Sequence, residues 1–153
     1  MRHKEKEITD LAEIERILAK AVVCRLAMIH GDFPYVVPMC FGYRDMTLYF
    51  HTGNKGKKMD AIKSNPNVCF EVDVDAELVP GEPACKWSIA YRSVVGLGRA
   101  RLLTDEKEKR RAYDVLMAQY TDATEQEYTE QGLAKSTIIA VDVKVVTGRV
   151  SDG

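Results

Sequence analysis

The sequence lacks any long apolar run and any excess of one charge. No stretch reaches the roughly 18 consecutive apolar residues that a membrane helix needs, so we expect no membrane span. The 22 basic residues nearly balance the 23 acidic ones, and the net charge of −1 argues against a general nucleic-acid binder. The N-terminus mixes both charges and leads into no apolar region, so we expect no signal peptide and a cytoplasmic location.

Motifs for metals, phosphate loops and hydrolysis are also missing. The four cysteines form no CxxC pair, so their spacing predicts neither a disulfide framework nor a metal site. The segment from Gly53 to Lys57 is too short for a P-loop, and the Gly96–Gly98 pair lacks the third glycine of a dinucleotide fingerprint. No Ser–His–Asp order or acid pair indicates hydrolysis.

What is present is a chain of short β-type runs separated by turn signals. The 153 residues and the apolar fraction of 46% suit a single domain spanning 1–153. The predicted strands are 21–29, 35–41, 47–52, 67–74, 87–103 and 137–147, and the predicted helices are 10–20, 57–64 and 105–120. We expect a loop at 76–83 and a solvated loop or helix end at 124–131. The pattern has no βαβ rhythm and predicts a mainly β fold, a six- or seven-stranded antiparallel barrel with helices packed outside.

Proline and glycine mark two special places in these strands. Pro38 removes a hydrogen-bond donor, so its strand is an edge there, is bulged or ends early. Edges and bulges are where a small molecule can reach the backbone. Gly96 and Gly98 predict a bulge or a barrel corner in the long strand.

The segment YFHTGNKGKKM at 49–59 is the most informative one. A strand ends at His51, a glycine-bearing loop follows, and a helix begins with Lys57 and Lys58. Cations are disfavoured at a helix N-terminus, so an anion such as a phosphate would use the loop amides and both lysines. The alternative is a turn with solvated lysines. A lone histidine such as His51 is more often a packed or surface residue than a catalytic one.

Five segments occur together in a recognisable order. They are YVVPMCFGY at 35–43, LYFHT at 48–52, GKKM at 56–59, NPNV at 65–68 and YRSVVGLG at 91–98. In this order, over residues 2–148, the chain resembles the pyridoxamine 5′-phosphate oxidase-related flavoproteins, and within them the nitroimidazole-resistance (Nim-like) branch. The resemblance implies a split β-barrel that forms a homodimer with FMN, rather than FAD, at the subunit interface.

The resemblance also implies roles for individual residues. The cofactor-binding positions are Pro38, Met39 and Cys40 along the flavin ring, His51 and Thr52 near the flavin, Lys57 and Lys58 at its phosphate, and Ser93 and Val94 on the long strand. His51 is in addition the implied catalytic residue, near the reactive face of the flavin.

The implied activity is reduction of a small oxidised molecule, with a nicotinamide donor supplying hydride to the flavin. Nitroaromatic reduction is one such outcome. The arginine-rich and glutamine positions of true pyridoxamine phosphate oxidases have no counterparts here, so vitamin B6 oxidation is not expected. The alternative is a non-catalytic flavin- or haem-binding barrel that acts as a carrier or sensor.

Overall fold

A computed structural model of the chain describes residues 4–123 and 126–153. The strands are β1 (Glu7–Ile8), β2 (Cys24–His30), β3 (Phe33–Met39), β4 (Gly42–Arg44), β5 (Thr47–Gly53), β6 (Asn67–Val79), β7 (Ser88–Leu103) and β8 (Ser136–Asp152). The helices are α1 (Leu11–Lys20), α2 (Lys57–Ser64), α3 (Glu106–Ala118) and α4 (Glu130–Lys135). Two short 3₁₀ turns lie at Lys4–Lys6 and Ala84–Lys86.

The strands form one antiparallel sheet in the order β3-β2-β6-β7-β8-β5-β4, and β1 pairs with β8. The seven strands of this order match the predicted number of six or seven, although the short strands β1 and β4 were not located in the sequence. The sheet curls around one core, because inward-facing side chains from both ends of the order join a single cluster. They include Leu26, Met39, Leu48, Phe50, Phe70, Val94 and Val141.

Several segment boundaries differ from the sequence-based expectations, and those of β6 and β8 differ most. Strand β6 runs on to Val79, through half of the loop predicted at 76–83, after a register shift between Val74 and Glu77. Strand β8 spans Ser136–Asp152 and is longer at both ends than the predicted 137–147. The segment 124–131, expected as a solvated loop or helix end, contains the start of α4, and its first two residues lie outside the described ranges.

The predictions for Pro38 and for the glycine pair are confirmed. Strand β3 stands at one end of the sheet order and pairs only with β2, so Pro38 lies on an edge, and the strand ends at Met39. The pairing of β7 with β8 shifts register between Leu97 and Gly98, which is the expected bulge.

Helix α3 packs on the outer face of the sheet and forms a second, small core. Its Ala112 joins a cluster that is completed by Leu103, Ile138 and Ala140, with Tyr49 and Tyr113 packed against it. Gly42 permits the close approach of this helix, since a Cβ there would lie 2.5 Å from the Val115 carbonyl oxygen. None of the helices formed by the described residues is long and apolar enough to cross a membrane.

Candidate functional site

A cavity of about 590 Å³ opens where the ends of β3 and β5, the start of α2 and one side of α3 meet. Its volume lies within the range of about 300–1,000 Å³ that is usual for small-molecule sites. The structure brings five predicted site residues together here, namely Pro38, Met39, Cys40, His51 and Lys58. We call this cavity the His51 pocket.

Strand alternation aims His51 at the pocket. The side chains of Leu48, Phe50 and Thr52 on β5 are buried toward the barrel core. Because successive strand residues point to opposite faces, His51 projects outward, toward α3. Its ring centroid lies 5.6 Å from that of Tyr113 on this helix.

The surroundings of His51 favour its neutral form. Burial lowers the pKa of the imidazole, and the positive charge of Lys58 lowers it further. A neutral imidazole has one nitrogen that donates and one that accepts a hydrogen bond. His51 is therefore suited to hold or pass a proton at the pocket wall.

The start of α2 provides a cationic corner of the pocket. Gly56 precedes the helix with φ of 116° and gives it no side-chain cap, so a ligand can take the first amides. Lys58 lines the pocket, whereas Lys57 is exposed and does not. The two lysines diverge because neighbouring residues of a helix project about 100° apart.

The loop before α2 is anchored to the other side of the site. The Asn54 side-chain amide donates to the Ala134 carbonyl oxygen at 2.9 Å, and the Thr137 hydroxyl donates to the Asn54 side-chain oxygen at 2.7 Å. These two bonds fix the loop against α4 and β8.

Three further predicted residues do not line this pocket. The side chain of Thr52 is buried on the inner face of the sheet, and Val94 is fully buried in the barrel core. Ser93 lies far from His51. On β8, Ile138 stands opposite both His51 of β5 and Leu103 of β7. Ser93 is ten residues from Leu103, which at 3.3 Å per residue is about 33 Å along the strand. The roles of Thr52, Ser93, Val94 and Lys57 in cofactor binding stay predictions.

Helix α3 supplies a wall that the sequence reasoning did not assign to the site. Its lining residues are Tyr113, Leu116 and Met117, and Tyr120 adjoins them just beyond the last helical residue, Ala118. They share one helix face, which the periodicity did reveal, but that face was interpreted as core packing. The Tyr120 hydroxyl donates to the Val22 carbonyl oxygen at 2.9 Å and accepts from the Phe41 amide at 2.8 Å, which ties α3 to the chain beside Cys40.

A second, smaller cavity of about 290 Å³ adjoins the His51 pocket. His51 and Tyr113 line both cavities, and α4 with the residues before it forms the far wall. The Tyr113 ring packs against Tyr128 with centroids 5.3 Å apart, and its hydroxyl donates to the Ser136 hydroxyl at 2.7 Å. Tyr113 is thus a fixed partition between the two spaces.

The described residues contain no group of three His, Cys, Asp or Glu side chains that could hold a metal ion.

Comparison with models of protein families identifies the family of this chain. The model described as pyridoxamine 5′-phosphate oxidase matches residues 10–150. The chain belongs to this family. No curated protein matches the sequence.

Solved structures agree with this assignment. A protein from Bacteroides thetaiotaomicron, named for a proposed role in 5-nitroimidazole antibiotic resistance, is 33% identical, with 94% of this chain and 86% of that one covered and a TM-score of 0.85. A FAD-binding protein from Mesorhizobium loti is 28% identical, covering 96% and 98% of the two chains with a TM-score of 0.69. The predicted family and the antiparallel split-barrel fold are confirmed.

A more distant relative shares the fold. The FAD and haem binding protein from Mycobacterium smegmatis is 18% identical, with 97% of this chain and 74% of that chain covered and a TM-score of 0.87.

Proposed function

We propose that the chain binds a flavin, FMN in preference to FAD, in the His51 pocket and uses it to reduce a small oxidised molecule with electrons from a nicotinamide donor. The observation that carries this proposal is the convergence of Pro38–Cys40, His51 and Lys58 on one cavity of 590 Å³. Similarity to a FAD-binding protein at 28% identity supports the choice of a flavin.

The lining suits the two chemically different ends of a flavin nucleotide. A flat aromatic ring system needs apolar walls, and Pro38, Met39, Leu116 and Met117 provide them. A phosphate needs positive charge and free N–H groups, which Lys58 and the uncapped start of α2 provide.

The cationic corner is the reason for preferring FMN. A phosphate monoester carries about −1.5 to −2 charges at neutral pH. The terminal phosphate of FMN therefore presents this whole charge at one end of the molecule. In FAD the corresponding phosphates are linked in a chain and lead on to an adenosine that needs additional room. One lysine at a helix start is suited to a terminal phosphate.

A bound flavin would supply the redox chemistry, taking hydride from a nicotinamide and passing electrons on. The chain would bind and orient it and would manage the proton that accompanies the electrons. His51 is the group suited to the proton, because its pKa is lowered and it lies at the boundary of both cavities. Tyr113 holds the imidazole from the α3 side.

We also propose that two copies pair through the outer face of β6, β7 and β8. Cys69, Leu97 and Val145 stand opposite one another in a row across these three strands. Leu97 and Val145 are 53% and 55% exposed, so the row is an uncovered apolar stripe. Such a stripe is typical of an interaction surface, and a twofold pairing would cover it on both copies at once.

A pair of polar residues lies further along two of these strands. Ser93 and Arg149 face each other on β7 and β8, and the Arg149 Nε is buried without a hydrogen-bond partner among the described residues. A buried donor left unpaired is costly, and a second copy with its cofactor would offer an acceptor. This arrangement supports a flavin shared across the interface, with Ser93 approaching it there.

The test is to identify the cofactor that co-purifies with the chain and to measure turnover. We expect a flavin absorption spectrum, the mass of FMN, and oxidation of NADH or NADPH that is faster with a nitroaromatic acceptor. Bound flavin without turnover, or a haem Soret band, would support the carrier or sensor instead. A colourless protein that takes up no flavin would contradict the proposal.

A further inference from the structure

A third cavity, of about 310 Å³, lies on a different flank of α3 from the His51 pocket. Its walls carry three arginines from three separate elements, namely Arg44 on β4, Arg101 on β7 and Arg111 on α3. We call it the arginine pocket. It shares no lining residue with the two cavities at His51.

The sheet register explains why a hollow exists here. Tyr49 on β5 and Arg101 on β7 both stand opposite Ala140 on β8, so the three residues form one row across the sheet. Neighbouring strands are about 4.8 Å apart, which separates the Tyr49 and Arg101 backbones by about 10 Å. Ala140 between them is small and fully buried, so its side chain does not fill the space between the two large ones.

The floor and roof of the arginine pocket are apolar. Leu103 on β7 and Val115 on α3 line it, and both are buried. Tyr49 adds a half-buried aromatic ring at one side. An apolar or aromatic body is therefore favoured inside, with the charged groups at the rim.

The positive charges at the rim are only partly paired within the chain. Arg101 pairs with Asp142 at 3.3 Å. Arg44 and Arg111 form no ion pair with any described residue. Glu108 is the one acidic residue among the described lining residues, and it also makes no ion pair there. Two guanidinium groups are thus available for an external anion.

We propose that the arginine pocket binds a small molecule that carries an oxyanion, a carboxylate or a phosphate, on an apolar body. Guanidinium groups are planar and weakly hydrated and bind both anions through paired hydrogen bonds. Arg44 and Arg111 hold the oxyanion at the rim, and Leu103, Val115 and Tyr49 contact the body. The site is separate from the proposed flavin site, and its test does not depend on that proposal.

Calorimetric titration of the purified protein, with whatever cofactor it retains, tests the site. The probes are benzoate, the uncharged benzamide of the same shape, and inorganic phosphate. We expect benzoate to bind and benzamide not to bind. Phosphate bound in preference to benzoate would identify a phosphate as the ligand group of the same oxyanion site.

Substitutions then locate the binding. Arg44→Gln and Arg111→Gln should each weaken the bound probe by about tenfold, since each removes charge-assisted hydrogen bonds. Both side chains are exposed and unpaired, so the fold should be retained, which circular dichroism checks. Arg110→Gln is the matched control, because Arg110 adjoins Arg111 but pairs with Glu106 along the helix.

Two outcomes would overturn the proposal. One is that neither anion binds, or that benzamide binds as well as benzoate. The other is that Lys58→Gln or Arg110→Gln weakens binding as much as Arg111→Gln, because the anion would then lie in the His51 pocket or bind by general charge attraction.

Discussion

The pKa of the His51 imidazole lies below its usual value because burial disfavours its charged form and because the ammonium of Lys58 repels that charge. Both side chains line the same cavity. The two residues are therefore coupled, and a change of charge at one should be measurable at the other.

Removal of the lysine charge should raise the pKa of His51. We expect Lys58→Met to shift the imidazole titration upward, since only the burial effect remains, and NMR can follow it among three histidines. Lys57→Met is the matched control, because Lys57 adjoins Lys58 but is exposed outside the pocket. An unchanged titration in Lys58→Met would show that the two charges do not interact.

Lys58 should distinguish FMN from riboflavin. A charge-assisted hydrogen bond is worth about 1.5–3 kcal/mol, so Lys58→Ala should weaken FMN about tenfold or more and riboflavin very little. Lys57→Ala should have the smaller effect, because Lys57 does not line the pocket. Fluorescence titration of both flavins at two salt concentrations measures this. Equal losses for the two flavins would mean that the lysine acts through folding.

His51 should affect flavin reduction more than flavin binding. We expect His51→Ala to retain the flavin but to change the rate of reduction by NADPH or its pH profile. Because the pKa of His51 is lowered, the reduction rate of the wild-type protein should change as the pH falls below the usual histidine value of about 6.5. Stopped-flow measurements between pH 5 and 8 test this. An identical rate and profile in the variant would make His51 a packing residue.

A charge in the apolar stripe should separate the two copies. Wild-type protein should sediment at about twice its chain mass of 17.2 kDa, whereas Leu97→Glu should sediment as a single chain. Phe33→Glu serves as the control, since Phe33 is 76% exposed on β3, outside the stripe. A wild-type protein that is a single chain at micromolar concentration would remove the interface from the proposal.

Lys109 should stabilise the fold through two carbonyl groups. Its ammonium is buried and donates to the carbonyl oxygens of Leu133 and, at 2.6 Å, Ser136. Lys109→Met leaves these acceptors unpaired, so we expect a loss of about 1–3 kcal/mol in the free energy of unfolding. Urea denaturation measures it, with the exposed Lys107→Met as the control. Equal stability of both variants would show that water replaces the ammonium.

Strands with regular alternation were predictable from the sequence, whereas the part of β6 beyond its irregularity was not. Val68 to Val74 alternate cleanly, and the strand was found. Beyond Val74 the positive φ of Asp75 breaks the alternation, so the part of β6 up to Val79 was interpreted as loop. Pairing with β7, which no local pattern reveals, keeps it extended.

The part of the site formed by short sequence motifs was predictable, and the part contributed by a distant helix was not. Pro38–Cys40, His51 and Lys58 come from short segments with recognisable patterns, whereas the α3 wall comes from about sixty residues further on. Helical spacing identified the face of Tyr113 and Tyr120, but it cannot tell whether such a face meets core or cavity. A face with two tyrosines, whose hydroxyls need partners, is the signal that could have indicated a site.

The central position of β8 has a consequence for synthesis of the chain. β8 pairs with β7, β5 and β1, all of which precede it in the sequence. The ribosome makes the 32 residues between β7 and β8 in about 2–6 s, at about 5–20 residues per second. During this interval β5 and β7 each present an unpaired edge, which is prone to associate with other chains. The growing chain is therefore expected to need protection by chaperones until β8 has emerged.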